Sequence, residues 1–189
     1  LLTGRANPAG RLPITWPLRL ADGLANDPAH PERSSKGVKG RTVYGEGIFV
    51  GYRWYDQKNI APLFPFGYGL SYTTFQYSGL TVAKAADGGL DASVVVKNTG
   101  TLAGDEVVQA YVGAPRSAPA GVSFAKRALA SFDRITLAPG EQRRVQLHIP
   151  AERLRYWSKR DQSWHDARNG RPVHVGSSSR DLPLSKAVN

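Results

Sequence analysis

Few side chains in this sequence stand where their type and spacing could do chemistry. Glu46 has the most distinctive setting among the carboxylates: it lies between Gly45 and Gly47, where backbone can approach closely, and just ahead of Ile48 and Phe49. Apolar surroundings of that kind raise a carboxyl pKa and suit a general acid or base. The same placement suits a structural part, with Glu46 capping a turn or helix start, or pairing with Arg53. His30, His148, His165 and His174 are separated from one another, with no i, i+4 pair and no carboxylate at ligand spacing, so no metal site is expected. Cysteine is absent, which removes thiolate metal sites and disulfides. Gly45-x-Gly47-x-x-x-Gly51 departs from the glycine spacing of a phosphate-cradling loop, and Ser177-Ser178-Ser179 is not set in a nucleophile elbow. No cofactor is expected.

The chain carries 25 Lys and Arg against 15 Asp and Glu, a net charge of +10, which raises the question of an anionic partner. The cations are dispersed. Arg33, Lys36, Lys39 and Arg41 form one loose group, and Arg143, Arg144, Arg153, Arg155, Lys159 and Arg160 another. No zinc-knuckle spacing, aromatic RNA-binding string or basic helix accompanies them, so they read as a solvated basic surface and nucleic acid is not an expected partner. No apolar run reaches the ~18–20 residues of a membrane span. A hydrophobic share of 41% with 21% charged residues is ordinary globular usage.

The elements that must hold these residues fall into two regimes. Residues 1–75 are crowded with Gly, Pro and aromatics and show little periodicity, which forbids long helices. Within them Ile48–Tyr55 is at best a short helix or strand. Their apolar clusters have no partner elements to cover them, and ~75 residues is marginal for a domain on its own. From residue 76 the pattern is β. Leu90, Ala92, Val94 and Val96 fall on one face of a strand over 90–97, with Asp91, Ser93 and Lys97 on the other. Val108, Ala110 and Val112 likewise alternate with Val107, Gln109 and Tyr111, and Val145, Leu147 and Ile149 with Arg144, Gln146 and His148. Further strands are expected at 80–83, 132–137 and 173–175, and a hairpin at 154–157 and 163–165. Asn98-Thr99-Gly100, Ala138-Pro139-Gly140-Glu141 and Asn169-Gly170 are turn signals. The whole is mainly β: a fibronectin type III or immunoglobulin-like β-sandwich over 76–189, without an inter-sheet disulfide.

Five strings carry a family resemblance. Asn7-Pro8-Ala9-Gly10-Arg11-Leu12-Pro13-Ile14-Thr15-Trp16-Pro17, Tyr44-Gly45-Glu46-Gly47-Ile48-Phe49-Val50-Gly51-Tyr52-Arg53 and Phe64-Pro65-Phe66-Gly67-Tyr68-Gly69-Leu70-Ser71-Tyr72 resemble blocks of family 3 glycoside hydrolases. The stretches Val94–Val112 and Arg127–Glu141 resemble the fibronectin type III-like domain of that family, with Ser131 where its usual glycine stands. The resemblance covers nearly the whole chain in the family's order. It implies that 1–75 is the C-terminal segment of an α/β sandwich domain, incomplete alone, ahead of the β-sandwich.

The activity implied is that of a retaining, exo-acting β-glucosidase working on terminal β-linked glucose. Such an enzyme uses two carboxyl groups about 5–5.5 Å apart. No string here matches the family's nucleophile motif, so the nucleophile is expected upstream and this segment alone is expected to be inactive. Glu46 is the one residue with any claim on acid/base work. Aromatic rings among Pro and Gly fit interdomain packing, with Phe66 and Tyr68 the candidates for a substrate rim. Trp157 and Trp164 flank the expected hairpin, as a sandwich-core Trp or a carbohydrate platform. The partners implied are the upstream domains of the same enzyme, on the same or a separate chain, and a β-glucoside substrate, with a homo-oligomer left open. The resemblance also implies a secreted or periplasmic location. Because the chain has no methionine, Leu1 is expected to lie inside a longer gene product. The alternative is a non-catalytic β-sandwich module that binds polysaccharide or another anionic surface.

Overall fold

Alternation of apolar and polar side chains builds the larger part of the molecule. The structure, a computed structural model, describes residues 1–167 and 170–188. Within them the strands are β1 (Phe75–Lys84), β2 (Leu90–Asn98), β3 (Gly104–Gly113), β4 (Arg127–Leu137), β5 (Gln142–Ile149), β6 (Arg155–Ser158), β7 (Ser163–Asp166), β8 (Pro172–Gly176) and β9 (Leu184–Ala187). One antiparallel sheet has the order β1-β2-β5 and a second the order β4-β3-β8-β9, while β6 and β7 form a separate hairpin. Leu90, Ala92, Val94 and Val96 of β2 meet Val108, Ala110 and Val112 of β3 in one buried cluster, closed by residues of β5 and β8. Each such Val or Leu side chain stabilises the fold by roughly 1.5–3 kcal/mol. Sheet packing of this kind is the expected sandwich.

Several strands run longer than their patterns suggest. β1 begins at Phe75 and bulges between Ser78 and Thr81, where Gly79 adopts φ +62°, a conformation that favours glycine. β4 starts five residues before Phe132, and β9 has no counterpart among the expected strands. Asn169 of the expected Asn169-Gly170 turn lies outside the described residues. β3 departs from expectation in its faces. Gln109 and Tyr111, opposite the core residues, are also buried, because residues 1–75 lie against that outer side.

The first 75 residues hold three short 3-10 turns (Leu20–Asp22, Leu24–Asn26, Pro31–Arg33) and one helix, α1 (Tyr52–Lys58). The helix starts later than the expected 48–55 segment, and ends at Asn59, whose left-handed backbone returns its N–H to the carbonyl of Tyr55. Two of the proline- and glycine-rich strings hold each other. Leu12 N donates to Tyr68 O at 2.8 Å, Gly67 N to Leu12 O at 2.8 Å, and Trp16 N to Phe64 O at 2.8 Å. Backbone groups that these prolines leave outside any sheet are thereby satisfied.

Candidate functional site

Polar and aromatic residues that the sandwich core does not use gather where residues 1–75 meet it. Helix α1 presents Asp56, 2% exposed, to Arg127 Nε at 2.9 Å and Arg180 Nη2 at 3.2 Å. Burial outweighs both cations and raises the Asp56 pKa above the usual carboxylate range. A second buried pair joins Arg11 Nη2 to Glu106 Oε2 at 3.0 Å, and there too burial raises the carboxyl pKa against the pull of Arg11. Asn7 ties the same boundary, donating to Ala103 O at 2.9 Å and accepting from Tyr72 N at 2.8 Å. Tyr52 packs on Phe66 with ring centres 5.3 Å apart and meets Tyr111 edge-on at 5.8 Å, while its hydroxyl accepts from Leu129 N at 2.8 Å. Gly67 closes over the Gln109 amide, where a β-carbon would come within 2.5 Å of Nε2.

Beside this seam an open cleft of about 1150 Å³ runs between α1 with its preceding loop, the 120–125 loop and the β6–β7 hairpin. Glu46 lies on its wall. Its carbonyl accepts from Phe49 N at 3.2 Å in a turn, and its buried Oε2 has no hydrogen-bond partner among the described residues. The expected pair with Arg53 does not form: that guanidinium lies over the Tyr52 ring, 5.8 Å from its centre. Trp54 carries Lys58 Nζ at 4.9 Å and the Arg33 guanidinium at 5.6 Å. Arg171, 4% exposed, donates from Nε to Gly113 O at 2.7 Å and lies 5.5 Å from the centre of the Phe124 ring. Burial lowers its pKa to about 10.

The sequence-derived candidates disperse. Phe66 belongs to the aromatic seam, Tyr68 stacks on Phe64 at 5.0 Å, and neither lines the cleft. Neither Trp157 nor Trp164 is a core residue. They are 44% and 64% exposed and meet edge-on at 5.6 Å on the hairpin, because β6 and β7 belong to neither sheet. His148 faces two carboxylates, Asp91 at 2.7 Å and Asp87 at 3.2 Å, which raise its pKa. No group of three or more ligand-type side chains among the described residues could hold a metal. The sequence reading missed the ionic seam of Asp56, Arg127 and Arg180. The Asp56 signal was a lone acid inside an aromatic helix, with its cations far along the chain.

The comparisons with known proteins settle what this scaffold is. A family model described as a fibronectin type III-like domain matches residues 106–179. Probable beta-glucosidase I of Aspergillus terreus is 40% identical over 194 residues, covering 98% of this chain and 22% of that relative. Beta-glucosidase BoGH3A of Bacteroides ovatus is 38% identical over 187 residues, covering 96% of this chain and 24% of the relative. The chain belongs to the family 3 glycoside hydrolases. It matches a C-terminal portion of that family and spans 22–24% of the length of these curated relatives. The crystal structure of DesR, a beta-glucosidase from Streptomyces venezuelae in complex with D-glucose, is similar with TM-score 0.92 at 40% identity, over 100% of this chain and 24% of that one. Beta-glucosidase 3B from Thermotoga neapolitana, in complex with alpha-D-glucose, gives TM-score 0.85 at 37% identity, over 99% and 25%. Within this family 3 portion, the buried ion pairs and aromatic rings fasten one segment to another.

Proposed function

We propose that this chain is the C-terminal part of a retaining, exo-acting β-glucosidase that hydrolyses terminal non-reducing β-D-glucosyl residues. The observation that carries the reading is 40% identity along 98% of the chain to a beta-glucosidase of which it spans 22%. We assign residues 1–75 to the C-terminal segment of an α/β sandwich domain and 76–189 to the fibronectin type III-like domain. Exposed apolar residues outside the cleft support that division: Leu18, Leu20, Tyr44, Val50 and Leu63 all lie in 1–75 and leave a surface suited to being covered. The upstream domains of the same enzyme, on the same or a separate chain, are the partner we assign to it. The catalytic nucleophile belongs there as well. We assign Glu46 no acid/base part in this reading. Phe66 and Tyr68 are the rim residues we assign, each already held by a ring of this chain, Tyr52 and Phe64 respectively.

Assay of an aryl β-glucoside tests the reading. The 189-residue chain alone is expected to be inactive, and the whole natural protein active. Glu46→Gln in the whole protein should keep its rate within about tenfold, a barrier change of about 1.4 kcal/mol. Hydrolysis by the isolated chain would place the machinery in the wrong part of the molecule. One observation favours the second reading, a polysaccharide-binding module: the cations and exposed indoles of the cleft.

A further inference from the structure

The cleft holds an unbalanced set of polar groups. Lys58, Arg153, Lys159 and Arg171 line it, and none has an ion pair among the described residues. Arg33 adds a side chain only 10% exposed, with Asp27 no closer than 4.0 Å and with Nε and Nη1 lacking hydrogen-bond partners. Arg155 and Arg160, also on the wall, are answered by Asp166 and Asp161. Opposing them are two carboxylates, Glu152 and Glu46, and the buried Glu46 Oε2 lacks a donor. The hairpin adds two exposed indole rings, Trp157 and Trp164.

Cations lining the cleft without a countercharge call for an anion. The Glu46 carboxylate on the wall calls for a hydroxyl or N–H donor. Flat indole faces suit a ligand with an apolar side, such as a pyranose ring. A phosphodiester backbone supplies charge but offers Glu46 no donor, whereas a sugar acid supplies carboxylate, hydroxyls and an apolar face together. We propose that the cleft between α1 and the β6–β7 hairpin binds an acidic, uronate-bearing oligosaccharide. The proposal does not rest on the β-glucosidase reading, because none of the groups named is asked to cleave a bond.

Isothermal calorimetry on the whole natural protein tests this with three probes: an oligogalacturonate, a neutral cello-oligosaccharide of equal length, and single-stranded DNA. The uronate is expected to bind at least about tenfold more tightly than the neutral sugar, and less tightly as salt rises from about 50 to about 300 mM. Trp164→Ala and Lys159→Glu, both at exposed positions, should each weaken uronate binding by about tenfold. Lys97→Glu, on the other sheet, removes the same charge and should leave it within about twofold. Equal binding of the two sugars, no binding by either, or an equal loss in Lys97→Glu would overturn the proposal. Preference for DNA would make the cleft a polynucleotide site instead. Glucosidase activity measured on the same preparation keeps the two readings separable: activity without uronate binding sinks only the cleft, and binding without activity sinks only the enzyme assignment.

Discussion

At the scale of single residues, Asp56 carries the clearest liability. It is buried, its pKa is raised by that burial, and its charge is tolerable only because Arg127 and Arg180 flank it. Truncation to Ala leaves two guanidinium groups side by side with no countercharge. Asp56→Ala is therefore expected to lower stability by about 3–5 kcal/mol, seen as a fall in the urea midpoint with an unchanged slope. A loss below about 1 kcal/mol would show that the seam contributes little. His148 gives a pH signature. Its hydrogen bond to Asp91, with Asp87 beside it, makes the folded state hold its proton more tightly than the unfolded chain, whose value is 6.5. That contribution is complete below pH 6.5 and fades as pH rises through the folded pKa. His148→Gln should thus lower the melting temperature more at about pH 5.5 than at about pH 9. The same loss at both would mean that the imidazolium is not linked to folding.

At the scale of elements, Gly67 shows how closely the two regions approach. Its φ of +84° and the Gln109 amide beneath it leave no room for a methyl group, and that amide is already held by Ser177 O and the Tyr111 hydroxyl. Gly67→Ala should destabilise by about 1–3 kcal/mol, measurable in the same urea titration, and a neutral result would mean that the loop slides freely. Strand β2 was readable from sequence because one face is wholly core and the other is polar apart from the half-buried Val95, which leaves a period of two. β3 was half readable: its aliphatic face alternates, but Gln109 and Tyr111 are buried by residues from a distant string that no local period records. β9 is short and mostly exposed, so it carries no apolar pattern. The aromatic seam was foreseen as packing, whereas the trio of Asp56, Arg127 and Arg180 was not, because charge pairing across long separations leaves no trace in spacing.

At the scale of the whole molecule, the two regions differ in how much of their apolar surface they hide. The sandwich buries a continuous aliphatic cluster, while residues 1–75 leave Leu2, Leu20, Tyr44 and Leu70 largely exposed. The isolated chain should accordingly bind a hydrophobic dye, and a protease at low dose should nick it first between residues 20 and 50. In the whole protein both effects should disappear. A dye-silent, uncut isolated chain would mean that its front part needs no neighbour.

β3 stands between these regions with little of it facing water: on one side it contributes aliphatics to the sandwich, on the other Tyr111 and Gln109 to the bed of the preceding segment. It is in effect a party wall. Neither tenant can leave without exposing a surface the other had kept dry, so the two regions should come apart together. Scanning calorimetry should record one heat-absorption peak for the chain, with calorimetric and van't Hoff enthalpies in agreement.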